Sequence, residues 1–243
     1  MTTIPSPTAL FVDLDDTLLA YTASGRNLWP SVIEGFADRL PIEPTVLLKA
    51  IAQSSDEYWA DPEQKVRGGM RLREARRQVV AGAFVRLGLL TPPWANDLAD
   101  TFTDTREAAA QLYDGVPEAL QRLREGGVRL ALITNGNSEL QWGKVRRCNL
   151  QPYFAAILVS GDLGFGKPDP RVFALALKAV ATDAPNAWMV GDDLHLDIAP
   201  VRPVGLGAGV WVDFAGRGLP ADPPAVPHHT VRTFSEVPAL LGL

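Results

Sequence analysis

The stretch FVDLDDTLL, residues 11–19, places three carboxylates within four positions, directly after an apolar run that begins at Ala9. These acids are Asp13, Asp15 and Asp16. A short apolar run of this kind is typical of a buried β-strand. Crowded acids repel one another, and partial burial adds a desolvation cost. We therefore expect the folded protein to use this negative charge to bind something that compensates it.

Short apolar runs with few charges recur along the chain, as expected for strands covered on both faces of a sheet. Helical patterns separate them: GVPEALQRLREGG (115–127) has a proline near its start and glycines at its end, and RVFALALKAV (171–180) has one apolar face. This alternation predicts an α/β fold with a doubly wound, Rossmann-like parallel sheet. The predicted strands are ALFVD (9–13), VRLALIT (128–134), AAILVS (155–160), AWMVGD (187–192) and GAGVWV (207–212).

Residues 20–108 interrupt the alternation, because no comparable strand run occurs there. Four stretches with helical periodicity occur in this part of the chain instead. We therefore predict an α/β core formed by residues 1–19 and 109–243, with an all-helical domain inserted at 20–108. The four stretches are SVIEGFADRL (31–40), PTVLLKAIAQSSDEYW (44–59), MRLREARRQVVAGAFVRLGL (70–89) and WANDLADTFTDTREAAAQL (94–112).

Composition excludes several classes of function. The formal net charge of −5 argues against nucleic acid as a bulk partner. The single cysteine, Cys148, cannot form an internal disulfide, which fits a reducing compartment. The first residues lack the pattern of a signal peptide, and no apolar segment approaches the length of a membrane span. We expect a cytoplasmic protein without a nucleic-acid or membrane partner.

Polar side chains follow the predicted strands at the points where the strands end. The carboxyl ends of parallel strands share one edge of the sheet, where ligands bind. Acids follow the first and fourth strands, a hydroxyl and an amide follow the second, and one lysine follows the third. The residues are Asp13, Asp15 and Thr17, then Thr134, Asn135 and Gly136, then Lys167, then Asp192, Asp193 and Asp197.

This set of groups suits a magnesium ion and a phosphate. Clustered carboxylates with water provide the oxygen ligands that Mg²⁺ prefers, and the cation offsets their repulsion. A carboxylate can attack phosphorus covalently. Thr134, the backbone N–H groups after it and Lys167 can hold the phosphoryl oxygens. A second carboxylate can protonate the leaving oxygen and then activate water.

Four motifs carry a resemblance to a known family. DLDDT (13–17), TNGN (134–137), GKP (166–168) and GDDLHLD (191–197), in this order and spacing, resemble the motifs of the haloacid dehalogenase-like hydrolase superfamily. The similarity extends to flanking sequence such as LYDGVPEALQRLREGGVRLALITNG (112–136) and, more loosely, to the inserted region. It implies a core with a helical cap domain after the first motif.

The resemblance also implies roles for individual residues. Asp13 corresponds to the nucleophile and Asp15 to the general acid/base. Thr134 and Lys167 correspond to the phosphate-binding groups. Asp192 corresponds to a magnesium ligand, together with Asp13 and the backbone carbonyl of Asp15.

Three assignments in these motifs stay open. Asp193 directly follows Asp192, whereas Asp197 fits a wider spacing, so either residue can be the second acid of the metal site. Asn135 either binds the phosphate or shapes the turn. The segment APVRPVG (199–205) departs from the family pattern, because its prolines should shorten or kink a helix there.

The inserted region contains a basic stretch, KVRGGMRLREARR (65–77). It is either a solvated helix face or a source of substrate contacts beyond the phosphate. On the second interpretation Arg67 and Arg71 are the candidates for substrate specificity.

We expect a magnesium-dependent phosphatase that acts on a small phosphate ester, of the nucleotide or sugar phosphate type, through an aspartyl-phosphate intermediate. The alternatives are a phosphomutase, a 2-haloacid dehalogenase and a non-catalytic binding module of the same fold. A dehalogenase needs neither magnesium nor an acid at position 15, so Asp15 and the acidic fourth motif argue against it.

Overall fold

The computed structural model describes residues 6–22, 27–61, 63–64, 68–69 and 71–243. The chain divides into two compact units. The core unit consists of Met1–Ala20 with Gln111–Leu243, and the helical unit consists of Tyr21–Ala110. Among the described residues, no helix is long and apolar enough to cross a membrane.

The core unit contains a six-stranded sheet in the order β3-β2-β1-β4-β5-β6, with every neighbouring pair parallel. The five strands predicted from the sequence are confirmed. The α/β, Rossmann-like fold predicted from their alternation with helices is confirmed as well. The strands are β1 (Ala9–Val12), β2 (Arg129–Thr134), β3 (Ala156–Val159), β4 (Ala187–Gly191), β5 (Ala208–Val212) and β6 (His229–Val231).

Helices cover both faces of the sheet, and β1 is completely buried between them. Leu10 and Val12 belong to one core cluster, whereas Ala9 and Phe11 belong to another, because successive side chains of a strand point to opposite faces. The helices bounded within the described residues are α1 (Leu28–Glu34), α2 (Pro44–Ala60), α3 (Leu72–Arg86), α4 (Ala95–Ala109), α5 (Val116–Glu125), α6 (Ser138–Arg147), α7 (Ser160–Leu163), α8 (Pro170–Ala179), α9 (Val201–Val204) and α10 (Val237–Leu240).

Helix α5 illustrates how sequence pattern sets packing. Gly115 precedes it with a φ of 78°, a conformation that favours glycine, and a proline stands in its first turn. Its buried residues are Val116, Ala119, Leu120 and Leu123, spaced as one face of an α-helix. They pack into the same cluster as Leu10 and Val12. This cluster also includes Leu14, so α5 helps to hold the loop that follows β1.

The helical unit has its own apolar core. Helices α1 to α4 contribute to it, and its described residues contain no β-strand. Leu47 and Phe84 are fully buried there, and the rings of Trp29 and Phe102 stack with centroids 3.7 Å apart. This unit therefore has its own packed interior.

Two local features refine the sequence interpretation. Residues 216–230 are proline-rich and mostly irregular, but their last two residues belong to β6, which pairs with β5. Only three residues long, β6 lacks an apolar run that would reveal it. The segment with Pro200 and Pro203 forms only the four-residue helix α9, as expected from its prolines.

Candidate active site

The site lies where the strand order of the sheet reverses. β1 pairs with β2 on one side and with β4 on the other, which is the position of ligand crevices in doubly wound sheets. Asp13 directly follows β1, and its backbone N–H donates to the Val190 carbonyl at 3.0 Å. Asp192 directly follows β4. The sheet thus brings the first and fourth motifs together.

Lys167 joins these two motifs. Its ammonium donates to Asp13 Oδ1 at 2.5 Å and to Asp197 Oδ1 at 2.6 Å. Burial alone would lower the pKa of this lysine, but the attraction of Asp13 and Asp197 outweighs that effect and raises it. Lys167 therefore carries its positive charge between two acids at the floor of the site.

Three carboxylates lie close enough to share a cation. Oxygen atoms of Asp13, Asp192 and Asp197 lie within 4.8 Å of one another. Burial, only partly opposed by Lys167, raises the pKa of Asp13 to about 7. Burial and the neighbouring acids Asp13 and Asp197 raise the pKa of Asp192 to about 9. Such crowding of oxygen ligands fits a hard divalent cation, which would relieve the repulsion.

The structure distinguishes Asp193 from Asp197. The Asp193 carboxylate caps a π-helical turn, Leu194–Ile198, by accepting from the backbone N–H groups of His195 and Leu196 at 2.7 and 3.0 Å. Asp197 is buried and accepts from Lys167. A Cβ at Gly191 would lie 2.1 Å from Asp197 Oδ2, so glycine is required for this approach. The geometry groups Asp197, rather than Asp193, with Asp13 and Asp192.

Asp15 lies on the other side of the site and meets helix α6. The Lys144 ammonium donates to both carboxylate oxygens of Asp15, at 2.9 and 2.8 Å. Gln141 Nε2 lies 3.0 Å from Asp15 Oδ2. The side chain of Asp15 remains 25% exposed, so it is accessible to a ligand.

Thr134, the last residue of β2, and Asn135, which follows it, make different contacts. Thr134 Oγ1 lies 2.5 Å from Gln141 Nε2, beside Asp15. The side chain of Asn135 donates to the Lys167 carbonyl at 2.7 Å and accepts from the Lys167 N–H at 2.8 Å. The Asn135 amide therefore holds the loop that carries Lys167.

The turn after β1 is shaped by two further residues. Asp16 has a φ of 60°, in the left-handed region that Asp tolerates better than most residues, and its N–H donates to the Leu19 carbonyl at 2.7 Å. The Thr17 hydroxyl lies 3.5 Å from Asp192 Oδ1. These contacts help to set the loop on which Asp13 and Asp15 stand.

Both specificity candidates, Arg67 and Arg71, belong to the residue range of the helical unit. Arg67 lies outside the described residues. Arg71 is exposed immediately before α3, and its guanidinium lies 3.7 Å from the Glu74 carboxylate.

Lys144 and Gln141 were not identified from the sequence, although α6 contains a signal. Its buried positions are Leu140, Gln141, Lys144 and Val145. A lysine and a glutamine on the apolar face of a helix are unusual, because buried polar groups need partners. These two polar residues on the apolar face of α6 are therefore the sequence signal for the pair.

Comparison of the sequence with known proteins identifies the family of this chain. A family model for haloacid dehalogenase-like hydrolases matches residues 7–205, and the chain belongs to this family. Phosphoserine phosphatase of Thermus thermophilus is 34% identical over 249 residues, covering 94% of this chain and 96% of that protein. Glyceraldehyde 3-phosphate phosphatase of Pyrococcus abyssi is 31% identical over 207 residues, covering 84% of this chain and 81% of that protein.

A solved structure also shares the fold. YfnB of Bacillus subtilis, described as a HAD-hydrolase and solved with bound magnesium, aligns with a TM-score of 0.76 at 23% identity. The alignment covers 98% of this chain and 100% of that one.

Proposed function

We propose that the protein is a magnesium-dependent phosphatase that hydrolyses a small-molecule phosphomonoester through an aspartyl-phosphate intermediate on Asp13. The observation that carries this proposal is the convergence of Asp13, Asp192, Asp197 and Lys167 at the switch point of the sheet. The similarity to two phosphatases supports the same class of reaction.

In the first step a carboxylate oxygen of Asp13 attacks phosphorus. A bond forms between this oxygen and phosphorus, the bond between phosphorus and the ester oxygen breaks, and Asp15 gives a proton to the leaving oxygen. In the second step water attacks phosphorus, the bond to Asp13 breaks, and Asp15 takes the proton of the water. Inorganic phosphate is released, Asp13 returns to its carboxylate form, and Asp15 is again a carboxylic acid that can protonate the next leaving group.

Lys167 and Thr134 hold the phosphoryl group. The Lys167 ammonium contacts the nucleophile directly, so it can also stabilise charge on the phosphoryl oxygens beside it. Thr134 is buried at the end of β2 and offers a hydroxyl.

A divalent cation would be held by Asp13, Asp192 and the backbone carbonyl of Asp15, with Asp197 as a supporting acid. When bound, it would neutralise charge on the phosphate and bring that group to Asp13. The raised pKa values of Asp13 and Asp192 fit this assignment, because burial first, and the neighbouring acids second, disfavour the charged carboxylates that a cation would stabilise.

We further propose that residues 20–108 act as a cap that selects the leaving group, with Arg67 and Arg71 as specificity residues. Arg71 is exposed, so its replacement should leave folding intact. Arg71→Ala should change the ratio of kcat/KM between two metabolite phosphates by more than it changes hydrolysis of p-nitrophenyl phosphate. An unchanged ratio in both Arg67→Ala and Arg71→Ala would assign these arginines to a solvated surface.

The reaction class is tested by phosphate release from a panel of esters, with magnesium and with chelator. The panel contains O-phosphoserine, glyceraldehyde 3-phosphate, a sugar phosphate, a nucleoside monophosphate and p-nitrophenyl phosphate. We expect magnesium-dependent release from at least one metabolite ester. Isomerisation of a sugar phosphate without phosphate release would indicate a phosphomutase. Release of chloride from 2-chloropropionate would indicate a dehalogenase. The absence of all three activities would indicate a binding module.

A further inference from the structure

Helix α6 carries two buried polar side chains that face the candidate active site. Lys144 is 1% exposed and Gln141 is 2% exposed. They stand one turn apart, between the apolar residues Leu140 and Val145. Placing an ammonium group there costs free energy unless a partner compensates its charge.

Asp15 provides that compensation. Lys144 Nζ donates to both oxygens of the Asp15 carboxylate, at 2.9 and 2.8 Å, and to Gln141 Oε1 at 2.8 Å. An ammonium group can only donate, and these three oxygens accept from it. This bidentate contact restricts rotation of the carboxylate, so Asp15 keeps one orientation beside the nucleophile's loop.

Gln141 extends the same arrangement to Thr134. Its Oε1 must face Lys144, because an ammonium group can only donate. The amide nitrogen, Nε2, therefore points the other way and lies 2.5 Å from Thr134 Oγ1 and 3.0 Å from Asp15 Oδ2. Since the Thr134 oxygen accepts from Gln141, the hydroxyl hydrogen remains available for a phosphoryl oxygen.

We propose that Lys144 and Gln141 are positioning residues, which fix the acid/base carboxylate of Asp15 and the hydroxyl of Thr134 from a single helix. This inference rests on the proposed phosphatase function. Lys144 acts on proton transfer through Asp15, whereas Gln141 also acts on phosphoryl binding through Thr134. A small misplacement of either group lowers the rate strongly, because proton transfer and phosphoryl binding both require hydrogen-bond distances.

The two roles predict different dependence on the leaving group. An alkyl alcohol needs a proton as it leaves, whereas p-nitrophenolate is stable as an anion. Lys144→Met should therefore lower kcat/KM for the alkyl ester that the wild type hydrolyses fastest in the panel by about tenfold more than for p-nitrophenyl phosphate. Gln141→Met should lower kcat/KM for both esters, because both share the phosphoryl group.

Arg146→Met is the matched control, since Arg146 is an exposed cation on the same helix. It should leave kcat/KM for both esters within about twofold. Melting curves check that each variant is folded at the assay temperature. Should Lys144→Met fail to fold, Lys144→Gln, which keeps a donor without the charge, carries the same comparison.

Each outcome decides the inference. A larger loss for the alkyl ester in the Lys144 variant, with a loss for both esters in Gln141→Met, supports it. Equal losses for the two esters in the Lys144 variant, or none, overturn the positioning of Asp15 while leaving the phosphatase proposal intact. A wild-type protein that releases phosphate from no ester overturns the proposed function, and the inference falls with it.

Discussion

Ionic groups are buried at the sheet edge and in the helical unit, and the two regions differ in how their charges are paired. At the sheet edge the Lys167 ammonium contacts Asp13 and Asp197, and a third acid, Asp192, lies close to both carboxylates. In the helical unit the Tyr21 hydroxyl accepts from Arg76 at 2.9 Å and donates to Glu107 at 2.7 Å. There a second cation, Arg106, lies over the Tyr21 ring at 4.3 Å.

The difference separates a site for chemistry from a structural contact. At the sheet edge burial and then the neighbouring acids raise the pKa of Asp13 and of Asp192, and the grouped carboxylates favour a bound cation. In the helical unit Arg76 and Glu107 are both buried, and the Arg76 guanidinium lies 3.9 Å from the Glu107 carboxylate, so a cation faces the acid there. We therefore expect replacements at the sheet edge to abolish turnover, and replacements in the helical cluster to cost stability.

The largest expected effect is on turnover. Asp13→Asn should lower kcat by at least about a thousandfold, because an amide of nearly the same shape is a poor nucleophile. Its melting temperature in chelator should stay close to that of wild type, since the amide keeps the shape of the carboxylate and Lys167 keeps its contact with Asp197. Phosphate release and a melting curve measure the two quantities, and near-normal turnover would exclude the covalent mechanism.

The next largest effect is expected on the stability of the helical unit. Arg76→Met removes a buried guanidinium that lies 3.9 Å from the Glu107 carboxylate and donates to the Tyr21 hydroxyl, and it should lower the free energy of unfolding by about 3 kcal/mol. Hydrolysis of p-nitrophenyl phosphate per folded molecule should be retained. Denaturant unfolding and an activity assay measure these effects.

Arg77→Met is the control for this change, because Arg77 lies beside Arg76 on α3 but pairs at the surface with Asp100 at 2.5 Å. It should alter the free energy of unfolding by less than about 1 kcal/mol. Equal losses in the two variants would remove the distinction between the buried cluster and a surface ion pair.

A smaller effect is expected from pH. The folded pKa values of Asp13 and Asp192, about 7 and about 9, lie above their ordinary value of 3.8. Between these limits the folded state binds more protons than the unfolded state, so stability falls as pH rises. In chelator the melting temperature should therefore fall between about pH 6 and about pH 8. Asp192→Asn should reduce the slope, and an unchanged slope would contradict this explanation.

The sequence could predict the sheet and its functional edge because both have local signatures. Apolar runs mark β1 to β5, and acids follow β1 and β4 directly. Contacts between distant residues have no such signature. Asp15 and Lys144 are 129 positions apart, so only the fold reveals their pairing. The choice between Asp193 and Asp197 likewise depended on the π-helical turn that Asp193 caps.

We propose that the grouped carboxylates at the sheet edge form a magnesium site. It is tested most directly by melting curves of wild type and Asp192→Asn in chelator and in excess MgCl₂, at matched ionic strength. At a hundredfold excess over Kd, magnesium should stabilise the wild type by about 2.7 kcal/mol.

That stabilisation corresponds to a rise in melting temperature of roughly 5 to 10 °C. In Asp192→Asn, where a carboxylate ligand is lost but the metal-free fold is not weakened, the rise should shrink or vanish. An Asp192→Asn protein that keeps the full magnesium-induced rise would contradict the assignment of the metal to these carboxylates.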